Sequence, residues 1–310
     1  MHNFLQEFWA STIDGLTQGS IYALVALGYT LVYGVLRLIN FAHSEIFMIG
    51  TFTTVGVVTA FGVTAPLTGL ALWGFLLVAA VAAALASGGS AVLLERIAYR
   101  PLRRRGATTL AALISAIGAS LFIQQAFSLR FPDAVDTTRV LQKSILATVG
   151  TGLIRADKVL VFFGAIFMML LLDRLVNGTR FGRAIRATAQ SADTATLMGV
   201  NIDRIVMLTF LIGGAMAGIG GMLYVIFFEV TTFSVGFVLG IKAFTAAVLG
   251  GIGNLRGALL GGLLLGLIEE YGASVVGAEW KDVISFSVLV LVLMFRPTGL
   301  LGESLGKVRA

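Results

Sequence analysis

"GYTLVYGVLRLINFAHSEIFMIG", residues 28–50, is the stretch on which the reading of the whole chain turns. It lies in one of the most apolar regions of the sequence, yet it places Arg37, Asn40, His43 and Glu45 within nine positions. The surroundings decide what that means. Of the 310 residues 57% are hydrophobic and only 12% are charged, against about 25% charged in an ordinary soluble domain. A water-soluble fold must wet its outer layer with polar groups, and this chain has too few of them. Lipid imposes no such need, but it does require every backbone group to be satisfied internally. The expected fold class is therefore all-α, a polytopic membrane helix bundle of about 8–9 transmembrane segments with broken or re-entrant helices.

In that setting the polar cluster reads as a planned break between two membrane helices. Arg37 is expected to end the first helix, its charge reaching the interface. Asn40 and His43 are expected to satisfy backbone groups freed in the break, with Asn40 as a cap and His43 as a hydrogen-bonded packing residue ahead of a proton relay. Glu45 opens the next helix, where a negative charge suits the positive end of the dipole. The chain should not run through 36–45 as one helix.

A spanning helix needs about 20 mostly apolar residues. Candidates lie near 15–35, 45–62, 67–93, 109–129, 158–175, 204–228, 234–252, 257–276 and 282–296. Segments 45–62 and 234–252 are doubtful as full spans: the first follows the break, and the second is short and carries Lys242. The glycine pairs Gly15/Gly19, Gly214/Gly218, Gly257/Gly261 and Gly262/Gly266, each four apart, allow close helix packing in lipid.

The net charge of +6 is expected to reflect short basic loops and not nucleic-acid binding. Loop 95–109 holds Arg96, Arg100, Arg103, Arg104 and Arg105, and 173–190 holds Arg174, Arg180, Arg183 and Arg186. Both are placed in the cytoplasm, with 130–157 outside, the N-terminus outside and the C-terminus cytoplasmic. The "NGT" at 177–179 then falls on the wrong side to be a glycosylation acceptor. The N-terminus, "MHNFLQEFWASTID", does not resemble a signal peptide.

The chemistry available is narrow. Without cysteine there is no disulfide, thiolate metal site or cysteine nucleophile, and two histidines make a histidine metal cluster unexpected. The sequence has no GxxxxGK[ST] loop, HExxH or nucleophile elbow, and "GGIGNLRG" (250–257) fails GxGxxG at Arg256. Polar groups inside apolar segments carry the functional signal, because they are costly there. Those expected near a translocation path are Gln18, Tyr22, Asn40, His43 and Lys242. Glu229, Glu269 and Glu270 lie near helix ends, from which they can reach headgroups or water. Segment 180–203, "RFGRAIRATAQSADTATLMGVNID", is long, basic at its start and Ala-rich. It should form a short amphipathic helix at the cytoplasmic face, broken by Gly199, and offer a docking surface to a soluble partner.

Several blocks also carry a resemblance. Residues 15–52, with their "INFAHSE", closely resemble the first block of the permease subunits of bacterial branched-chain amino acid ABC importers, of the LivH type. "ATLMGVNIDRIVMLTFLIGGAMAGIGGML" (195–223), "GIKAFTAAVLGGIGNLRGALLGGLLLGLIE" (240–269) and "KDVISFSVLVLVLMFRPTGLLG" (281–302) resemble its later blocks, in order over nearly the whole chain. Ser44 stands where that family usually has Gly, which puts a precise backbone geometry there in question. The resemblance implies an ABC importer permease architecture, with 1–310 a single transmembrane permease domain and 176–203 its cytoplasmic coupling segment. It implies coupling through Arg183, Arg186, Ala189, Gln190, Asp193 and Gly199. The implied partners are a second homologous permease, as heterodimer or homodimer, two soluble ATPases, an extracytoplasmic substrate-binding protein and the lipid bilayer of the bacterial inner membrane. This chain would hold no cofactor and be no enzyme, ATP and Mg belonging to the partner ATPases. Substrates would be branched-chain or related amino acids, with urea or short-chain amides as the alternative. An ion-coupled secondary transporter using His43, Glu45 or Glu269 is the rival class.

Overall fold

The computed structural model describes residues 2–37 and 40–302, with 2–6 as backbone alone. The C-terminal tail 303–310 and positions 38–39 lie outside the described residues. Twelve helices are present in them: α1 (His2–Leu36), α2 (His43–Ala60), α3 (Gly69–Leu94), α4 (Arg100–Arg104), α5 (Thr109–Arg130), α6 (Ala156–Gly178), α7 (Arg180–Gln190), α8 (Ala192–Leu197), α9 (Ile202–Phe228), α10 (Val235–Gly250), α11 (Leu255–Val276) and α12 (Lys281–Phe295). A π-helical turn, Glu95–Tyr99, joins α3 to α4, so the basic stretch 95–104 continues a helix and is not a loop. The all-α expectation needs one amendment. Segment 131–155 forms strands β1 (Val135–Asp136), β2 (Ile145–Val149) and β3 (Gly152–Arg155), and β4 (Val230–Thr231) follows α9. β2 and β3 make an antiparallel hairpin, and β1 pairs antiparallel with β4.

Among the described residues six helices are long and apolar enough to cross a membrane: Glu7–Leu36, Gly69–Arg104, Thr109–Arg130, Ala156–Gly178, Ile202–Phe228 and Leu255–Val276. α2, α10 and α12 fall outside that set. α2 does so because protein, not lipid, surrounds it. It packs against α9, α3 and α10, and its serine and threonine hydroxyls all find acceptors. Thr51 Oγ1 lies 2.7 Å from Thr231 Oγ1, and Ser87 Oγ donates to the Ile46 carbonyl at 2.9 Å. A buried helix of this kind can be less apolar than one facing lipid.

α1 and α9 are central, with 83% and 67% of their most apolar windows buried, whereas α3, α5 and α6 bury 22% or less and turn Leu, Ile and Phe outward. The glycine pairs explain how closely the helices approach. Gly19 of α1 faces Gly262 of α11, Gly15 faces Gly266, Gly218 of α9 meets Ala83 and Ser87 of α3, and Gly261 of α11 meets Ala246 and Gly250 of α10. All four pairs expected to mediate close packing sit at helix crossings.

The connections sort to two ends of the bundle. At one, the β2–β3 hairpin packs on the start of α1, and Leu67 N–H bonds to the Val140 carbonyl. At the other lie α4, α7, α8 and the turn after α12, whose Leu300 and Leu301 N–H groups bond to Leu249 and Gly250 carbonyls. The two arginine-rich segments thus share one end, and 131–155 occupies the opposite end.

At the hairpin end, Glu229 closes α9 in a left-handed conformation (φ 61°), a region a non-glycine residue enters only when its surroundings hold it. Here the holders are Lys143 Nζ at 2.7 Å and Arg139 Nε at 3.0 Å. Burial alone would raise this carboxyl, but the hydrogen bonds from Lys143 and Arg139 outweigh it and hold it below the ordinary value. A carboxyl depressed in the native state stabilises above its unfolded pKa of about 4.3 and loses that contribution as pH falls through the native value. The Thr137 N–H, bonded to the Glu229 carbonyl at 2.8 Å, should therefore exchange several-fold faster below that range, after correction for intrinsic exchange. Glu229→Gln should remove the pH dependence. Unchanged protection at acid pH would contradict this account.

Candidate functional site

The break is present: α1 stops at Leu36, Arg37 takes a left-handed φ of 52°, and α2 begins at His43. Its internal chemistry differs from expectation. The cap position of α2 is Ala42, with no side-chain cap. Among the described residues the Asn40 side chain bonds no backbone group; its Oδ1 accepts from the buried Tyr99 hydroxyl at 2.8 Å. Among the described residues the His43 side chain bonds no backbone group either. Its ring packs edge-on to Tyr29, centroids 5.0 Å apart, over Gly28, and Nε2 has no partner. The residue that does satisfy a freed carbonyl is Ser44, whose Oγ donates to Phe41 at 2.7 Å. Position 44 lies in the regular first turn of α2 and not at a positive φ, so glycine is not required there. Glu45 opens α2 as expected, fully buried, with Oε1 accepting from Ser120 at 3.1 Å.

Arg37 reaches out of the break to donate to the Ala189 carbonyl of α7 at 3.2 Å. Segment 180–203 is two short helices, α7 and α8, and not one. The change at Ser191 is capped, since its Oγ accepts from Thr194 N–H at 3.2 Å. The sides facing the bundle are Gly182, Ile185, Thr188 and Ala195. Leu197 and Met198, apolar residues of this segment, are 87% and 82% exposed. Gly199 takes a φ of 83° and turns the chain into α9. Among the coupling candidates, Arg183, Gln190 and Asp193 are exposed, and Ala189 is half-buried. Arg186 folds back onto the Val176 carbonyl and Asn177 Oδ1, tying α7 to the end of α6. Just beyond, Asp203 in the first turn of α9 accepts from Arg100, Arg103 and Arg104, at 3.0, 2.5 and 2.8 Å.

The five path candidates divide into two groups. Asn40 and His43 belong to the packed break. Gln18, Tyr22 and Lys242 meet at a cavity of about 300 Å³, completed by Ile21, Tyr224, Phe228, Thr232, Ser234, Val235, Val238 and Leu239. That volume suits one small ligand. A larger hollow of about 660 Å³, beside Phe61, Pro66 and Phe75, has no titratable side chain in its lining.

Behind the polar wall of the smaller cavity lies an ion-pair network. Lys242 Nζ is 2.7 Å from Glu269 Oε1 and 2.7 Å from Asp282 Oδ1. Glu269 also accepts from Tyr22 at 3.1 and 3.0 Å and from Ser285 at 2.8 Å, and Gln18 Nε2 donates to the Tyr22 hydroxyl at 2.9 Å. The Lys242 ammonium lies 5.7 Å from the Tyr22 ring centroid. Glu269 is therefore buried among partners and does not reach headgroups or water. Sequence reading had noticed both Lys242 and Glu269 without joining them, because they are 27 positions apart on different helices. Glu270, by contrast, is half-buried beside Lys281. Among the described residues no group of three or more His, Asp or Glu is placed to hold a metal ion.

These features define a polytopic membrane protein whose central helices carry a small, polar-walled cavity. The chain matches the family described as "Branched-chain amino acid transport system / permease component" over residues 11–293, and it belongs to that family. It is 41% identical to the high-affinity branched-chain amino acid transport system permease protein BraD of Pseudomonas aeruginosa, covering 98% of this chain and 97% of that protein. It is 42% identical to LivH of Escherichia coli (strain K12), covering 97% and 96%. A more distant relative, a probable LivH of Methanocaldococcus jannaschii, is 26% identical over 94% and 91%. No solved structure matches the chain.

Proposed function

We propose that this chain is the membrane-spanning permease subunit of an ATP-driven importer in the bacterial inner membrane, moving branched-chain amino acids delivered by an extracytoplasmic binding protein. The observation that carries this reading is the near-complete similarity to LivH and BraD, at 42% and 41% identity. The 300 Å³ cavity, which sets Ile21, Val235, Val238 and Leu239 beside one ammonium and several polar groups, suits an aliphatic amino acid better than urea. Energy would come from two partner ATPases, with ATP and Mg bound there, and a second permease, of the same or a related chain, would complete the pore. In this reading α2, α10 and α12 also traverse the bilayer, shielded by their neighbours. The arginine-rich end is then cytoplasmic and the N-terminus outside.

Residues 176–203 would be the coupling segment within a single permease domain. Both cavity-lining central helices touch it or its immediate continuation. α1 bears Gln18 and Tyr22 and ends at Arg37 on Ala189; α9 begins at Asp203 and ends at Tyr224 and Phe228. A push on α7–α8 would thus reach the cavity through two rigid rods, switching access. The exposed Leu197 and Met198 are the natural contact for an ATPase groove. Replacing both with Asp should leave the melting temperature within about a degree or two, since exposed substitutions change stability little. It should lower substrate-stimulated ATP hydrolysis by the complete transporter at least about tenfold, as loss of an apolar anchor does. Full stimulation would remove the pair from the interface. Uptake of leucine that persists when the proton gradient is collapsed but ATP remains tests the class itself; loss of uptake would favour the ion-coupled rival.

A further inference from the structure

Resting on that reading, we propose that Lys242 receives the carboxylate of the amino acid in the cavity, and that Asp282 holds its place when the cavity is empty. Lys242 contributes to the cavity wall, and no other cationic side chain does. The same lining carries Ile21 of α1 and, on the α10 stripe that bears Lys242, Val235, Val238 and Leu239, a surface for an aliphatic side chain. Gln18 donates its amide N–H to Tyr22, which leaves its carbonyl oxygen able to accept from a substrate ammonium, with the Thr232 and Ser234 hydroxyls nearby on the same lining.

The two carboxylates on Lys242 are not equivalent. Glu269 has no exposed side-chain surface and is held by Tyr22 and Ser285 as well as by Lys242. It cannot leave without stranding those donors. The Asp282 side chain is 58% exposed, and among the described residues its one ion pair is with Lys242. It also sits in the first turn of α12, where the helix dipole stabilises it when unpaired. A substrate carboxylate can therefore replace Asp282 while Glu269 stays in place. The ammonium keeps two carboxylate partners throughout, so the exchange buries no uncompensated charge. Ligands lacking a carboxylate, such as amides, gain nothing from this exchange.

The chain contains no cysteine, so a single Val238→Cys can report on the cavity; Val238 lines it and is 43% exposed. The complete transporter in proteoliposomes is treated with a small thiol reagent, with L-leucine or L-leucinamide present. L-Leucine should slow modification of this cysteine several-fold, and L-leucinamide at the same concentration should not. Adding Asp282→Asn, which leaves Lys242 and Glu269 intact, should lower the half-protecting leucine concentration by up to about fivefold, the worth of a partly exposed ion pair. Equal protection by leucinamide, or no shift with Asp282→Asn, overturns the role of Lys242 while leaving the cavity as a substrate station. No protection by leucine in a Val238→Cys transporter that still takes up leucine overturns the proposal and leaves the function intact. Absence of leucine uptake by the unmodified transporter would instead sink the functional reading beneath it.

Discussion

Glu269→Ala should cost about 3–5 kcal/mol of stability, the penalty for leaving a buried charge without its partner, and the variant should fail to accumulate. Lys242 is only 8% exposed at its side chain, and Asp282 alone would remain to balance it. Tyr22 and Ser285 would lose their acceptor at the same time. Removing both charges should behave differently. Lys242→Met with Glu269→Gln keeps a carbonyl oxygen for Tyr22 and Ser285, fills the lysine's volume, and leaves Asp282 partly solvated. A buried ion pair replaced by neutral groups of matching shape is often neutral in stability. The double variant should therefore melt within a few degrees of the parent in detergent yet take up no leucine. The coupling read from the cycle of the parent, Lys242→Met, Glu269→Gln and their double variant should be of the order of 2 kcal/mol or more, the range for contacting charged residues. If Glu269→Ala melts like the double variant, the ion pair is not what holds α10 against α11 and α12.

That network also shows what the sequence could and could not disclose. Helices were legible because an apolar run of about 20 residues has few other fates in a chain this poor in charge. The break after Leu36 was legible because Arg37, Asn40, His43 and Glu45, four polar residues within nine positions, are costly in lipid without a reason. The glycine pairs were legible as crossings, since spacing of four keeps them on one stripe. The partner of each polar residue was not, because it depends on which stripe of which helix faces it. Glu269 seemed near a helix end by position, yet the fold wraps α12 over it. Ser44 departs from the family's usual glycine, and it proves to be the side chain that bonds the Phe41 carbonyl freed in the break. Segment 180–203 read as one amphipathic helix, and it is two because Ser191 ends α7 and caps α8. The strands of 131–155 carried too little alternation to register.

Gly262→Ala should destabilise the protein by about 1–3 kcal/mol, and Gly262→Val should prevent it from folding. A Cβ on Gly262 would lie 2.6 Å from both the backbone nitrogen and the Cβ of Ala23; one on Gly19 would lie 2.6 Å from the Gly262 carbonyl oxygen. These neighbours are backbone or fixed to it, so no rotamer change relieves the clash and the two helices must separate. Gly118 on the outward side of α5 meets nothing within 4 Å at the corresponding position, so Gly118→Ala should be neutral or gain a few tenths of a kcal/mol from helix propensity. The crossing bears on function as well as stability. α1 and α11 are antiparallel, and helical side chains lean toward their own N-termini. Tyr22 and Glu269 therefore lean toward one another and meet across the crossing, at 3.0 Å. A separation of even half an ångström at Gly262 would lengthen that bond and loosen the wall on which Lys242 is held. Gly262→Ala should accordingly lose uptake out of proportion to its loss of stability, measured at a temperature where the variant remains fully folded. Normal uptake together with an unchanged melting temperature would show that the helices do not cross this closely.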